Sequence, residues 1–244
     1  MRIRSLLFRI VACCLLSLCV FAQTQTEPAS LQSLPVSTSS ATVDSLLKRD
    51  ATAWSQIAPK RVALNRTPPL YDTDEPAALE IPIVDVRCIR AQEKLIVHLV
   101  WHDPTQDAVA LPEVPKTAPE TRFDKVQTEA SDRFFDAAAV MFPTNARAGD
   151  LSPSLQMGDP DHPVQIYYWN ATRGAMLMEA HGRSTTHRTG QSFLANAVYQ
   201  NGQWNVTLVL PNLAAGTPVA FAVWNGSQKD RDGRKYFSVW QFLE

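Results

Sequence analysis

Ser192–Leu210 reads SFLANAVYQNGQWNVTLVL. Two runs rich in β-branched and aromatic residues, Ser192–Gln200 and Trp204–Leu210, flank the pair Asn201-Gly202. A two-residue hairpin turn needs positive φ at its central positions, which Asn and Gly adopt at least cost, so the stretch predicts a tight antiparallel hairpin. Working outward, runs of the same kind recur at Ala78–Ile89, Lys94–Trp101, Phe134–Phe142, Val164–Asn170, Ala175–Ala180, Val219–Trp224 and Tyr236–Phe242. Only 41–57 carries a helical spacing, with Val43, Leu46, Leu47 and Trp54 near one face and Pro59 as its stop. Nine strands and one helix predict an all-β fold, an antiparallel β-sandwich with a short N-terminal helix and long loops. Thr105–Ser131, rich in Pro and charge, is longer than an ordinary connection.

The first residues read as an address. Arg2, Arg4 and Arg9 precede an apolar run, Ile10–Phe21, and Ala22 offers a small residue for cleavage before Gln23. A signal peptide over 1–22 predicts export, to a bacterial periplasm, and a mature form with no stable membrane span. Residues 23–40, rich in Thr, Ser, Gln and Pro, read as a flexible leader, and 41–244 as the folded domain. Losing the three arginines takes the net charge from −1 to about −4. Without a basic patch or tail, nucleic acid is excluded as a partner. Cys13, Cys14 and Cys19 leave with the signal, so Cys88 remains alone in a strand, a buried and inert thiol. No Cys-x-x-Cys-His is present, so any haem is held without a covalent thioether link.

Among the methionines, Met157 stands apart. It lies between Pro153 and Pro160, outside any strand periodicity, and is followed by Gly158. A thioether held on a turn offers a soft lone pair of the kind haem iron accepts. Lys235 opens the last strand after a charged turn, Lys229–Arg234. Most such lysines are solvated, and a ligand role requires a neutral amine. The histidines His98, His102, His162, His181 and His187 compete as ligands, but none forms a zinc-like pair. His162 is placed to line a site opened by Met157 or to bond an anionic group. Period two puts Tyr167 and Trp169 on one strand face and Tyr168 on the other. No nucleophile motif appears, and Asp159, Asp161, Asp230 and Asp232 read as turn residues.

Four blocks carry a resemblance: VHLVWHDPTQD (97–107), FFDAAAVMFP (134–143), SPSLQMGDPDHPVQIYYWNA (152–171) and AFAVWNGSQKDRDGRKYFSVW (220–240). Together the chain resembles the haem-b-binding gamma subunit of periplasmic type II dimethyl-sulfoxide-reductase-like molybdoenzymes. That group includes the ethylbenzene dehydrogenase, selenate, chlorate and dimethylsulfide enzymes. The resemblance implies one non-covalent haem b with Met157 and Lys235 as axial ligands, and Lys229 as the fallback for Lys235. It also implies an aromatic face, taken as Tyr167 and Trp169, packing the porphyrin, His162 near its mouth, and room left by Ala137 and Ala139. The implied role is electron transfer between a molybdopterin catalytic subunit with its iron–sulfur subunit and a soluble carrier such as a cytochrome c. Such a chain is not catalytic alone. The rival reading is a secreted carbohydrate- or ligand-binding module whose Trp and Tyr side chains form a platform.

Overall fold

The hairpin forms as its sequence predicts. β11 (Ala195–Gln200) and β12 (Gln203–Pro211) pair antiparallel from Gln200↔Gln203 outward, with Asn201 at φ 55 and Gly202 at φ 69. This computed structural model describes residues 32–48, 52–67, 79–108, 134–145 and 153–244. The expected signal segment and most of the long loop after Thr105 lie outside the described residues.

β12 pairs in turn with β6 (Lys94–His102), and β6 with β5 (Ile83–Ala91). One edge of β5 is shared by β2 (Val36–Thr38) and β3 (Lys60–Ala63), completing a six-stranded sheet. The second sheet runs β1 (Ser33–Leu34), β15 (Gln241–Leu243), β13 (Pro218–Trp224), β7 (Ala137–Pro143), β8 (Val164–Asn170), β9 (Gly174–Ala180) and β10 (His187–Arg188). β14 (Tyr236–Phe237) pairs with β13 on one side and with β4 (Asn65–Arg66) on the other, so this sheet has nine strands. Side chains alternate across each strand. Val140, Phe221 and Trp169 of the nine-stranded sheet meet Val97, Leu208 and Val86 of the other in the inter-sheet core. The molecule is an all-β sandwich.

Three expectations about the fold need correction. The single helix over 41–57 is two single turns, α1 (Val43–Leu46) and α2 (Thr52–Ser55), linked by Trp54 Nε1 donating to the Leu46 carbonyl at 2.9 Å. Segments this short are not stable helices by themselves. Burial of Leu46 and Trp54 against Ile89, Ile96 and Val209, on the outer face of the six-stranded sheet, supplies what propensity lacks. The flexible leader is the second. Its residues 33–38 pair parallel with both sheets, β1 with β15 and β2 with β5, crossing between them at Pro35. The compact unit therefore starts at Gln32 rather than at residue 41. Backbone bonds and one buried side chain, Leu34, carry this pairing, so apolar composition gives no sign of it.

The expected last strand is also divided. Ser238 interrupts it, its N–H donating to the Phe221 carbonyl and its hydroxyl accepting the Phe221 N–H, both at 2.9 Å. One serine thus takes both ladder bonds and lets the chain step from β14 to β15.

Candidate functional site

The outer face of the nine-stranded sheet carries a second apolar cluster made of unusually small residues. Ala137 and Ala139 of β7 alternate with inward-facing Ala138 and Val140, and Ala220 and Ala222 of β13 alternate with Phe221 and Val223. Ala139 pairs directly with Ala222, and Ala220 with Met141. Directly opposed residues stand close, so methyl side chains here leave a shallow floor where larger ones would fill the space. Above it lies a partly open cleft, walled by Leu155 and Met157 on one side and by Trp224, Lys235 and Phe237 on the other.

Met157 reaches this floor from a strained turn. Its φ is 73 and that of Gly158 is 74. A non-glycine residue in this region costs energy that surrounding contacts must hold in place. Three bonds do so: Gly158 N–H to the Ser154 carbonyl, Gly182 N–H to the Met157 carbonyl, both 2.8 Å, and Trp240 Nε1 to the Pro153 carbonyl, 2.9 Å. Gly158 has a second reason to be glycine, because a Cβ there would sit 2.6 Å from the His162 carbonyl oxygen.

Lys235 comes from the opposite wall. Its carbonyl accepts from the Thr67 N–H (2.9 Å) and Thr67 Oγ1 (3.0 Å), which ties its backbone to the end of β4. Its Nζ lies 5.3 Å from the centre of the Trp224 ring and 3.6 Å from Met157 Sδ. Burial lowers the Lys235 pKa from the ordinary lysine value, and the charge of Asp232 opposes this in part. A thioether and an amine whose pKa burial lowers therefore face each other across an apolar floor. Both are lone-pair donors to a transition metal. Among the described residues no cluster of three or more His, Cys, Asp or Glu is arranged for a metal.

The sequence profile of the ethylbenzene dehydrogenase family matches residues 51–193. The chain belongs to the ethylbenzene dehydrogenase family. The match includes the Met157 turn and ends before Lys235. Relatives extend further. A putative respiratory nitrate reductase heme subunit of Haloferax mediterranei is 29% identical over 216 residues, 81% of this chain and 70% of its own length. The chlorate reductase subunit gamma of Ideonella dechloratans is 29% identical over 169 residues, 64% of this chain and 62% of its own. The dimethylsulfide dehydrogenase subunit gamma of Rhodovulum sulfidophilum is 29% identical over 219 residues, 79% and 73%. Among solved structures, a family 9 carbohydrate binding module from Caldicellulosiruptor kristjanssonii in complex with glucose aligns over 86% of this chain and 85% of its own. It does so at 14% identity and a TM-score of 0.41, a likeness too distant to bear on function.

In this member of the ethylbenzene dehydrogenase family, the other candidate residues do not join Met157 and Lys235. Tyr167 and Trp169 point into the inter-sheet core, contrary to the expectation that their face packs a ligand. Trp169 stands edge-on to Trp204 at 5.0 Å, and Tyr167 packs on Phe142 and Phe193 at 5.5 and 4.6 Å. Period two separates the faces of β8 correctly, but only the neighbours on β7 decide which one is inside. Tyr168 is the aromatic on the floor side, edge-on to Trp224 at 5.3 Å. His162 does not line the cavity. With its side chain 46% exposed, it bonds Asp159 Oδ1 through Nδ1 at 2.8 Å and braces the turn from behind. His98 is stacked beneath Trp54 and bonded to Thr207, on the far sheet. Lys229, the fallback for Lys235, is exposed at the end of a 3-10 turn.

Proposed function

We propose that this chain is the haem-b-binding gamma subunit of a periplasmic molybdoenzyme complex, holding one non-covalent haem b between Met157 and Lys235. The observation that carries the reading is the 3.6 Å approach of Lys235 Nζ to Met157 Sδ above the alanine floor, from segments 78 residues apart. The donor set fits. A thioether and a neutral amine each carry a lone pair that would bind haem iron, so Met157 and Lys235 would hold the group. Burial that disfavours the ammonium form of Lys235 helps deliver the neutral amine. The relatives named as heme and gamma subunits support the same assignment.

When bound, the haem would supply a one-electron couple, with Met157 and Lys235 as the residues that would hold it. The chain's own task is to hold the ligands, keep water off the floor through Leu155, Trp224 and Phe237, and present one edge to partners. Those partners are a molybdopterin catalytic subunit and an iron–sulfur subunit on one side and a soluble carrier such as a cytochrome c on the other. Substrate selection falls to the catalytic subunit, so this chain is not an enzyme by itself. Export to the periplasm rests on the Arg-flanked apolar segment at 1–22. Among the described residues no helix is long and apolar enough to cross a membrane. The sugar-platform reading draws no support from the Trp side chains, since all six are at most 8% exposed.

The test is the visible spectrum of the purified protein, oxidised and reduced. The expected result is a low-spin b-type haem that acid-acetone extracts. Lys235→Arg keeps the charge and removes the available lone pair, so it should be high-spin or haem-poor at neutral pH. A colourless protein made with ample haem, or a Lys235→Arg protein with the wild-type spectrum, overturns the assignment.

A further inference from the structure

The turn that presents Lys235 is tied to a buried ion pair that ligation itself does not use. The Asp230 side chain is 0% exposed and that of Arg66 7%. Arg66 grips the carboxylate with two nitrogens, Nη2 to Oδ1 at 2.7 Å and Nη1 to Oδ2 at 3.2 Å. The Asn225 N–H adds a third bond to Oδ2 at 3.1 Å, and Arg234 Nε stands 3.4 Å from Oδ1. A buried charge pair is poor value as stability alone, because desolvation cancels most of the attraction. Its geometry is specific, however, since a planar guanidinium fixes a carboxylate in both direction and distance.

What that geometry fixes is the Lys235 segment. Asn225, bonded to Asp230 through its backbone, uses its own Oδ1 to cap the 3-10 turn Gly226–Gln228 at Ser227 N–H, 2.9 Å. Arg66 pairs in register with Tyr236, the residue after Lys235, and its guanidinium lies 4.5 Å over the Tyr236 ring. Thr67, the next residue, gives both of its donors to the Lys235 carbonyl. One fork therefore clamps the start of the turn to the strand that holds its end. We infer that Asp230, through its buried fork with Arg66, is a positioning residue that keeps Lys235 extended over the alanine floor toward Met157. This rests on the haem reading above, in which Lys235 is a ligand.

The test uses the haem-loaded protein and imidazole as a competing ligand, followed by visible absorption. Imidazole must displace a side chain to bind, so a loosened Lys235 raises its apparent affinity. Asp230→Asn is expected to raise it about tenfold, and Thr67→Val, which removes one of the two bonds to the Lys235 carbonyl, about threefold. In a Lys235→Ala background the same changes should alter the affinity by less than about twofold. Equal effects in both backgrounds, or none in either, would overturn the inference, because a merely structural role acts whether or not Lys235 is present. If circular dichroism shows Asp230→Asn unfolded, Thr67→Val decides by the same comparison. A wild-type protein that binds no haem defeats the parent reading instead, and is told apart at the first spectrum.

Discussion

Met157 combines two features that rarely coincide: a strained backbone and a side chain aimed at a cavity. A Met at φ 73 costs on the order of 1–2 kcal/mol relative to an ordinary conformation. Packing alone does not call for this, since a methionine in any strand of the sheet could fill the same apolar space. The strain is repaid if the turn must deliver a sulfur atom to one point. On the haem reading, Met157→Ala leaves an axial position vacant, and the expected product is high-spin or haem-depleted iron. Met157→His should restore a low-spin spectrum at a lower potential, because imidazole favours ferric iron more than a thioether does. A Met157→Ala protein with unchanged spectrum and potential would remove Met157 from the ligand set.

At the scale of elements, the Met-Gly turn is defined by two distinct demands on Gly158, and they can be measured apart. Gly174, the first residue of β9, has nearly the same φ, 73 against 74, but a Cβ there would meet nothing within 4 Å. Gly174→Ala should therefore cost only the dihedral term, about 1 kcal/mol. Gly158→Ala adds a Cβ 2.6 Å from the backbone oxygen of His162, which cannot rotate away. Its cost should exceed that of Gly174→Ala by at least about 1 kcal/mol in chemical denaturation, with loss of the low-spin spectrum. Equal costs would show that the turn relaxes freely. This contrast also marks the reach of sequence. Long strands such as β6, β8 and β12 show their period plainly. β1, β2, β4 and β10, of two or three residues each, are too short for any alternation to register. Gly158 announced a turn but not the proximity of His162. Met157 broke periodicity visibly, whereas Lys235 resembled any edge lysine until the packing of Thr67 and Trp224 around it could be seen. The Ala-x-Ala steps of β7 and β13 lay in the sequence, but their facing required the register.

Across the whole molecule, the two sheets are joined at one end by the buried Asp136 carboxylate, which has no cationic partner among the described residues. Asp136 precedes β7 and accepts from Trp204 Nε1 of the other sheet (2.9 Å), from Gly226 N–H (2.9 Å) and from Asp107 N–H (2.6 Å). Asp103, at the end of β6, is equally buried; its Oδ1 takes the Thr105 N–H at 3.1 Å, while Oδ2 has no hydrogen-bond partner among the described residues. Burial, followed by the charge of Asp136, pushes Asp103 up from 3.8 to about 7. In the unfolded chain the same group ionises near ~3.9. Between those values the folded state holds more protons than the unfolded one, so stability falls as pH rises and levels off above about 7. Asp103→Asn mimics the protonated acid and removes this dependence. Its melting temperature should match the wild type near pH 4 and exceed it by several degrees at pH 8, at about 2–4 °C per kcal/mol for a chain of this size. Comparing the two proteins cancels the other titrating groups. A difference that stays constant across the interval would mean that Asp103 does not titrate differently in the folded and the unfolded chain.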